Sequence, residues 1–284
     1  MMRPVSEREF EAHRRLLFSI AYRMLGSVAE AEDMVQEAFL RWQGAPQAEV
    51  ASPKAYLSTV VTRLCIDQLR SGRAQRELYV GPWLPEPVRT DDGVDRVDAE
   101  SISMAFLVLL ESLSPPERAA YLLHEVFDYS HAEVAGILGK AEATCRQLYH
   151  RARQQVTARR PRFAATREQH GRLLGRFIAA CSAGDLAGLT KLLTADVTAW
   201  SDGGGKARAA RRPVRGADAV ARLFVGLAKK GGAGLFPEIT DLNGWPALIL
   251  RDGDRVDSVV ALETDGTRIH AVHVLRNPDK LARL

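Results

Sequence analysis

Apolar positions recur at helical spacing three times in the opening stretch of the chain. Phe10, Leu17, Ile20, Ala21 and Met24 form one stripe, Ala31, Met34, Val35, Ala38, Phe39 and Trp42 a second, and Leu57, Val60, Val61, Leu64 and Cys65 a third. Start signals precede each run. Ser6 with Glu9 and Ser27 with Glu30 read as S-x-x-E capping boxes, where hydroxyl and carboxylate satisfy the orphan amides of a first turn, and Ser52 precedes a proline suited to the first helical position. Over 76–100 the periodicity stops, and Pro82, Pro85 and Pro87 favour an extended, polyproline-like linker. Within it Trp83 has two readings, a ring packed on whichever domain lies nearest or part of a docking strip.

Helical spacing resumes at Ser101, with further starts at Ser114-Pro115-Pro116-Glu117 and Ser130-His131-Ala132-Glu133. Residues His131 to His150 fit a helix-turn-helix: Val134 and Leu138 apolar, Ala135 small at the crossing, Gly139 in the turn and Leu148 back in the core. Lys140 and Cys145 depart from that pattern, which usually has apolar and β-branched residues there. After a break at Arg160-Pro161-Arg162 the pattern changes to helices over Glu168–Ala183, Leu186–Leu193 and Gly216–Lys230. β-type runs follow at Val197–Trp200, Ala247–Leu250, Val256–Leu262 and Arg268–Leu275. Asp252-Gly253 and Asp265-Gly266 are turn signals, so this part reads as an α+β domain with an antiparallel meander.

A length of 284 residues suits two or more domains at roughly 100–200 residues each. With 46% hydrophobic and 26% charged residues the chain is of ordinary globular composition, which excludes disordered and collagen-like classes. No apolar run approaches the ~18 residues of a membrane helix, and the start has no signal-peptide core, so the expectation is a cytoplasmic protein. Cys65, Cys145 and Cys181 lie far apart, forming neither a disulfide framework nor a metal pair, and no metal or cofactor is expected. The net charge of +4 is unevenly spread. Lys140–Arg167 carries eight basic residues, suited to a polyanion, while Gln75–Glu100 carries seven acidic ones, suited to a solvated tether.

The stretch Ala31-Glu32-Asp33-Met34-Val35-Gln36-Glu37-Ala38-Phe39-Leu40-Arg41 resembles region 2 of bacterial sigma-70-family sigma factors, and Tyr129–Arg153 resembles their region 4. Having these two regions alone over residues 1–160 is similar to the extracytoplasmic-function group. The resemblance implies a multidomain fold, with an all-α region 2 over 1–75, the linker over 76–100, an all-α region 4 over 101–165 and a further domain over 168–284. It also implies roles. Glu32, Asp33, Gln36 and Glu37 would dock the β′ clamp helices of RNA polymerase, and region 4 its β flap. Thr59, Arg63, Asp67 and Arg70, spaced along one face of the third helix, would meet the promoter −10 element, and the loop Gly44–Ala51 would take an extruded base. Thr144, Arg146, Gln147, His150 and Arg151 would reach base edges of a −35 element, with Arg153, Arg159 and Arg160 on phosphates. Taken alone, the charged stripes also read as solvated helix faces.

Residues 168–284 resemble the SnoaL-like, NTF2-like α+β cone. Three short motifs resemble those of the sigma-factor subgroup that carries this domain: Trp83-Leu84-Pro85-Glu86-Pro87, Asp202-Gly203-Gly204-Gly205-Lys206 and Asn277-Pro278-Asp279-Lys280-Leu281. The resemblance implies regulation in cis, the glycine loop and the tail contacting region 2, region 4 or the linker, without need of a separate anti-sigma factor. The cluster Lys206, Arg208, Arg211, Arg212 and Arg215 would hold an acidic surface of the same chain, or touch DNA. A cone also admits a small ligand or an enzyme, with Asp196, Asp202, Asp218, His270 and His273 as candidate groups and Trp200 as a wall. His270 and His273 differ in strand parity, and no tyrosine follows Tyr149 to donate in an oxyanion hole, so no catalytic residue is assigned. The alternatives are a helix-turn-helix regulator with a ligand-sensing domain, or a bifunctional protein with a SnoaL-like isomerase or hydrolase.

Overall fold

The computed structural model describes residues 5–46, 49–72, 78–90, 100–159, 165–231 and 234–284. They form two compact units. One holds residues 5–72 and 106–159, and the other holds 78–90, 100–105, 165–231 and 234–284. The break at Arg160-Pro161-Arg162 and the linker aspartates Asp91, Asp92, Asp95 and Asp98 fall outside the described residues.

In the first unit, α1 (Val5–Leu25), α2 (Val28–Gln43) and α3 (Pro53–Ser71) pack around Leu17, Ile20, Ala31, Ala38, Trp42, Leu57 and Val61, all buried. Phe10 meets Phe39 at 4.9 Å and Trp42 meets Tyr56 at 5.7 Å between ring centres. Ser27 and Ser52 cap α2 and α3 by accepting from Glu30 N and Ala55 N. The first helix begins at Val5, ahead of Ser6, so the Ser6–Glu9 pair does not mark its start.

α4 (Met104–Leu110) spans the boundary between the units. The first continues with α5 (Pro115–Tyr121), a π-helical turn over Leu122–Val126, α6 (His131–Leu138) and α7 (Glu142–Arg159). Ser114 and Ser130 each close a full capping box with Glu117 and Glu133. Gly139 ends α6 at φ 62°, the left-handed conformation that lets the chain turn sharply into the next helix. Cys145, Leu148, Ala152 and Val156 are the buried stripe of α7, and burial pushes the Cys145 thiol up, so it packs as a small apolar group. Lys140, the other departure from the pattern, is exposed.

The second unit carries α8 (Arg167–Ala183), α9 (Leu186–Leu192), β1 (Leu193–Asp202), β2 (Val214–Arg215), α10 (Ala217–Gly231), β3 (Leu235–Leu242), β4 (Trp245–Asp252), β5 (Arg255–Thr264), β6 (Ile269–Leu275) and α11 (Pro278–Leu281). The sheet order is β2-β1-β6-β5-β4-β3. Leu173, Phe177, Leu189, Val220 and Phe224 from the helices interlock with Val197, Ala199, Leu248, Val260, Leu262, Val272 and Val274 on one sheet face. This is the expected α+β order, with two differences. β2 and β3 lie outside the expected runs, Pro237 interrupting the apolar pattern of β3. β1 and β6 pair in parallel, so the sheet is not a pure antiparallel meander. That parallel pair brings Asp202 and Leu275 to the same end of the sheet.

Candidate functional site

On α2, Glu32, Asp33 and Gln36 are exposed and Glu37 half-buried, and Glu37 pairs with Arg41 at 2.9 Å. Leu40, one turn beyond Gln36 and Glu37, is 53% exposed, an apolar side chain set among the acidic ones. The recognition helix α7 presents Thr144, Arg146, Gln147, His150, Arg151 and Arg153, all exposed, opposite its buried stripe. Arg146 pairs with Glu142, Arg151 Nε lies 3.2 Å from Glu117, and His150 Nε2 lies 3.0 Å from Gln154 Nε2.

His131, at the start of α6, stacks on His124 at 4.0 Å, and Tyr149 stands edge-on to both rings. Desolvation, then the nearby His124 and Arg146, hold the His131 imidazole below its usual range. Tyr149 donates to Glu125 at 2.5 Å, and burial followed by that bond pushes its phenol up to about 12.

The −10 candidates are divided. Arg70 and Asp67 are exposed and 3.7 Å apart. Arg63 instead donates from Nε to the Ile137 carbonyl at 2.9 Å and from Nη2 to the Gly136 carbonyl at 3.3 Å, at the C-terminal end of α6. Alongside it Ser58 and Tyr129 share a buried hydrogen bond of 2.7 Å, and Arg118 donates to the Met24 carbonyl at 2.6 Å. One member of the α3 face assigned to the −10 element, Arg63, is thus bonded to the helix-turn-helix assigned to the other element, while Asp67 and Arg70 stay exposed.

In the second unit the three motifs meet at one carboxylate. Asp202 is fully buried at the end of β1, on the parity opposite to Val197 and Ala199, so it points off the helix-packed face. Its Oδ1 accepts from the Tyr79 hydroxyl at 2.6 Å and from Gly204 N at 3.0 Å; its Oδ2 accepts from Leu84 N at 2.9 Å and from Lys280 Nζ at 2.7 Å. Lys280 also donates to the Leu84 carbonyl at 2.5 Å and stands over the rings of Trp83 at 4.1 Å and Tyr79 at 5.2 Å. Asn277 caps α11 and donates to the Tyr79 hydroxyl at 2.9 Å. Burial, then the bond to Asp202, pushes the Tyr79 phenol well above its usual range.

Gly204 has φ 57°, and a Cβ there would lie 2.3 Å from Asn277 Nδ2, so only glycine lets the loop pass. Lys206 pairs with Asp279 at 2.5 Å, while Pro85, Glu86, Pro87 and Leu281 are buried and Pro278 is exposed at the first position of α11. The segment read as a solvated tether is therefore held by its apolar half.

A second fastening went unnoticed in the sequence. Asn243, at φ 52° in the turn between β3 and β4, accepts from Val88 N at 3.1 Å on Oδ1 and donates from Nδ2 to the Ile102 carbonyl at 2.9 Å. Its own N–H donates to the Val88 carbonyl at 2.9 Å, and Gly244 N donates to the Thr90 hydroxyl at 3.2 Å. One turn thus holds both ends of the stretch between Thr90 and Ile102.

The model of sigma-70 region 2 matches residues 10–75 and that of sigma-70 region 4 matches residues 103–156. The ECF RNA polymerase sigma factor SigJ of Mycobacterium tuberculosis is 43% identical, the match covering 96% of this chain and 92% of SigJ. The chain belongs to the extracytoplasmic-function RNA polymerase sigma factors. A probable member of this family from the same organism, SigI, is 34% identical over 98% of this chain and 95% of its own. The crystal structure of M. tuberculosis SigJ matches at a TM-score of 0.79 and 41% identity, over 98% of each chain. This sigma factor thus serves RNA polymerase at promoters, with helical sigma domains followed by a sheet-containing domain along its whole length.

In this sigma factor two of the candidate catalytic groups, Asp202 and His270, are taken up by partners in their own domain. All four donors on Asp202 are accounted for above, His270 pairs with Asp265 at 2.8 Å, and Asp196 and Asp218 are exposed. His273 is buried off the helix-packed face, its Nε2 3.9 Å from Glu263, and neither ring nitrogen has a hydrogen-bond partner among the described residues. Tyr79, Asn243, His124 and His131 are the residues that sequence reasoning missed. Only Asn243 carried a usable signal, the Asn-Gly pair of a tight hairpin.

Proposed function

We propose that this sigma factor works through three domains, 1–75, 101–165 and 168–284, joined by the linker 76–100 and acting in the cytoplasm. Glu32, Asp33, Gln36 and Glu37, with the exposed Leu40 among them, meet the β′ clamp helices, and region 4 meets the β flap. Thr144, Arg146, Gln147, His150 and Arg151 read the −35 element, with Arg153 on phosphate, while Arg63, Asp67 and Arg70 serve the −10 element. The C-terminal domain regulates these activities in cis by gripping the linker through Trp83–Pro87, Asp202–Lys206 and Asn277–Leu281. The observation that carries this reading is the buried Asp202 carboxylate, which takes donors from the linker, the glycine loop and the tail at once. Fastening the linker shortens the free tether between regions 2 and 4, which changes the effective concentration of one near the other. Arg63 adds a second state, since its Nε and Nη2 leave the Ile137 and Gly136 carbonyls when those donors turn to DNA.

Transcription in vitro with bacterial core polymerase, from candidate promoters including the one ahead of its own gene, tests both parts. Initiation by the full chain is expected, with output altered severalfold by Asp202→Ala. Unchanged output from a folded Asp202→Ala protein overturns regulation in cis. Normal output from a promoter with a scrambled −35 element overturns the role given to the recognition helix.

A further inference from the structure

Beside the glycine loop lies a recess of about 360 Å³, lined by Val80 and Gly81 of the linker, by Ser201, Gly203, Gly205 and Lys206, and by the segment 207–211. Its volume is within the range of small-molecule pockets, about 300–1,000 Å³. Three properties set it apart from an ordinary surface dimple.

The first is the surplus of donors. Among the described residues, the amide N–H groups of Gly205, Arg208, Ala209, Ala210 and Arg211 donate to no other group of the protein. Two carbonyls nearby are already used, Gly203 O by Lys206 N and Ala207 N, and Arg208 O by Arg276. The second is charge. Lys206 is paired with Asp279, but among the described residues neither Arg208 nor Arg211 has a carboxylate partner, so two guanidinium groups line the recess uncompensated. The acidic half of the linker, the partner expected for this cluster from charge complementarity, lies outside the described residues. The third is the wall. A Cβ on Gly205 would stand 3.3 Å from Val80, and one on Gly81 would stand 3.6 Å from the Arg211 Cα, so linker and loop touch along one edge.

Residues with unbonded amide N–H groups and two arginines line one concave space. That is the chemistry of a tetrahedral oxyanion with several acceptor oxygens, for which the arginine fork and the backbone amides are matched donors. We propose that this recess binds a small phosphate-bearing anion and that its occupant bridges the linker to the glycine loop. Duplex phosphates are carried on a convex backbone, whereas this space is concave and closed on one side by Val80 and Gly81, which favours a free small molecule over DNA. The site is separate from every residue assigned to polymerase or promoter, so it goes beyond the sigma-factor reading.

Calorimetric titration of the full-length protein with inorganic pyrophosphate tests it. Saturable binding at one site is expected, weakened about tenfold or more in the double variant Arg208→Ala/Arg211→Ala. The double variant Arg212→Ala/Arg215→Ala removes the same charge from outside the recess and is expected to change affinity by less than about threefold. All four side chains are exposed arginines without a side-chain partner among the described residues, and matching thermal melts would show that the variants fold. No saturable binding up to about 10 mM, far weaker than useful recognition, overturns the proposal. So does equal weakening by both double variants, which would mean diffuse charge attraction. A 30-base-pair duplex run in parallel supplies the last arm: if Arg208→Ala/Arg211→Ala weakens duplex binding and leaves pyrophosphate unaffected, the surface is a DNA contact and the proposal fails.

Discussion

Asp202 and Lys280 form an ion pair of 2.7 Å with side chains 0% and 11% exposed, and the backbone of Leu84 bonds to both. Removing one member of such a pair leaves a desolvated charge, at a cost of about 3–5 kcal/mol. Asp202→Ala is therefore expected to release the linker, seen as rapid proteolysis or amide exchange over Tyr79–Pro87. Gly204→Ala should act in the same direction by displacing Asn277. Unchanged protection of the Leu84 amide in Asp202→Ala would show that the carboxylate is not what holds this strip.

Asn243→Ala removes two side-chain hydrogen bonds, to Val88 N and the Ile102 carbonyl, and leaves both groups buried without these partners. Each such loss costs about 1–3 kcal/mol. The left-handed backbone at this position penalises alanine further. Exchange should rise at Val88 and Thr90 while Leu84 stays protected, because the two fastenings use different residues. Loss of protection at both places together would mean that they form one cooperative unit.

Tyr129→Phe takes away the partner of the fully buried Ser58 hydroxyl without touching any residue assigned to DNA. A destabilisation of the contact between α3 and α6 by about 1–2 kcal/mol is expected. Faster amide exchange at Gly136–Gly139 would report it. If Arg63 alone holds that contact, exchange there will match wild type.

His170 is buried against Trp245, 5.2 Å between ring centres, and donates to the Pro246 carbonyl at 3.1 Å. Burial lowers its imidazole from 6.5 to about 4. Between those values the unfolded chain binds a proton that the folded one refuses. Stability is thus fully present above pH 6.5 and falls as the pH drops towards 4, by on the order of 3 kcal/mol across the window. Thermal melts of His170→Leu should show a shallower decline over this range than wild type. An identical slope would assign the acid sensitivity to other groups.

Much of this was legible because it was written locally. The caps at Ser27, Ser52, Ser114 and Ser130, the turn at Gly139 and the stripe of α7 each depend on residues within one or two turns. The three linker-associated motifs stood out as motifs, but nothing local shows that Asp202 takes a tyrosine from outside the Trp83–Pro87 strip. Tyr79 lies four residues before Trp83 in an unremarkable stretch. Of the basic cluster after the glycine loop, Lys206 finds a carboxylate in the tail, Asp279, and the acidic half of the linker lies outside the described residues. Helical spacing places Arg63 and Arg70 on one face of α3, yet it contains no information that Arg63 bonds to the end of α6. The parallel pairing of β1 with β6 is equally invisible to alternation, which fixes sidedness within a strand and not its neighbour.

That parallel pairing has a consequence for how the protein is made. Leu84 leaves the ribosome 118 residues ahead of Asp202 and 196 residues ahead of Lys280, while Tyr79 precedes Asn277 by 198. During translation the helical regions emerge first, and the grip on Asp202 is complete only once the tail carrying Asn277 and Lys280 has followed. Each newborn molecule therefore has its sigma regions before it has the domain that grips their linker, by an interval that chain elongation sets.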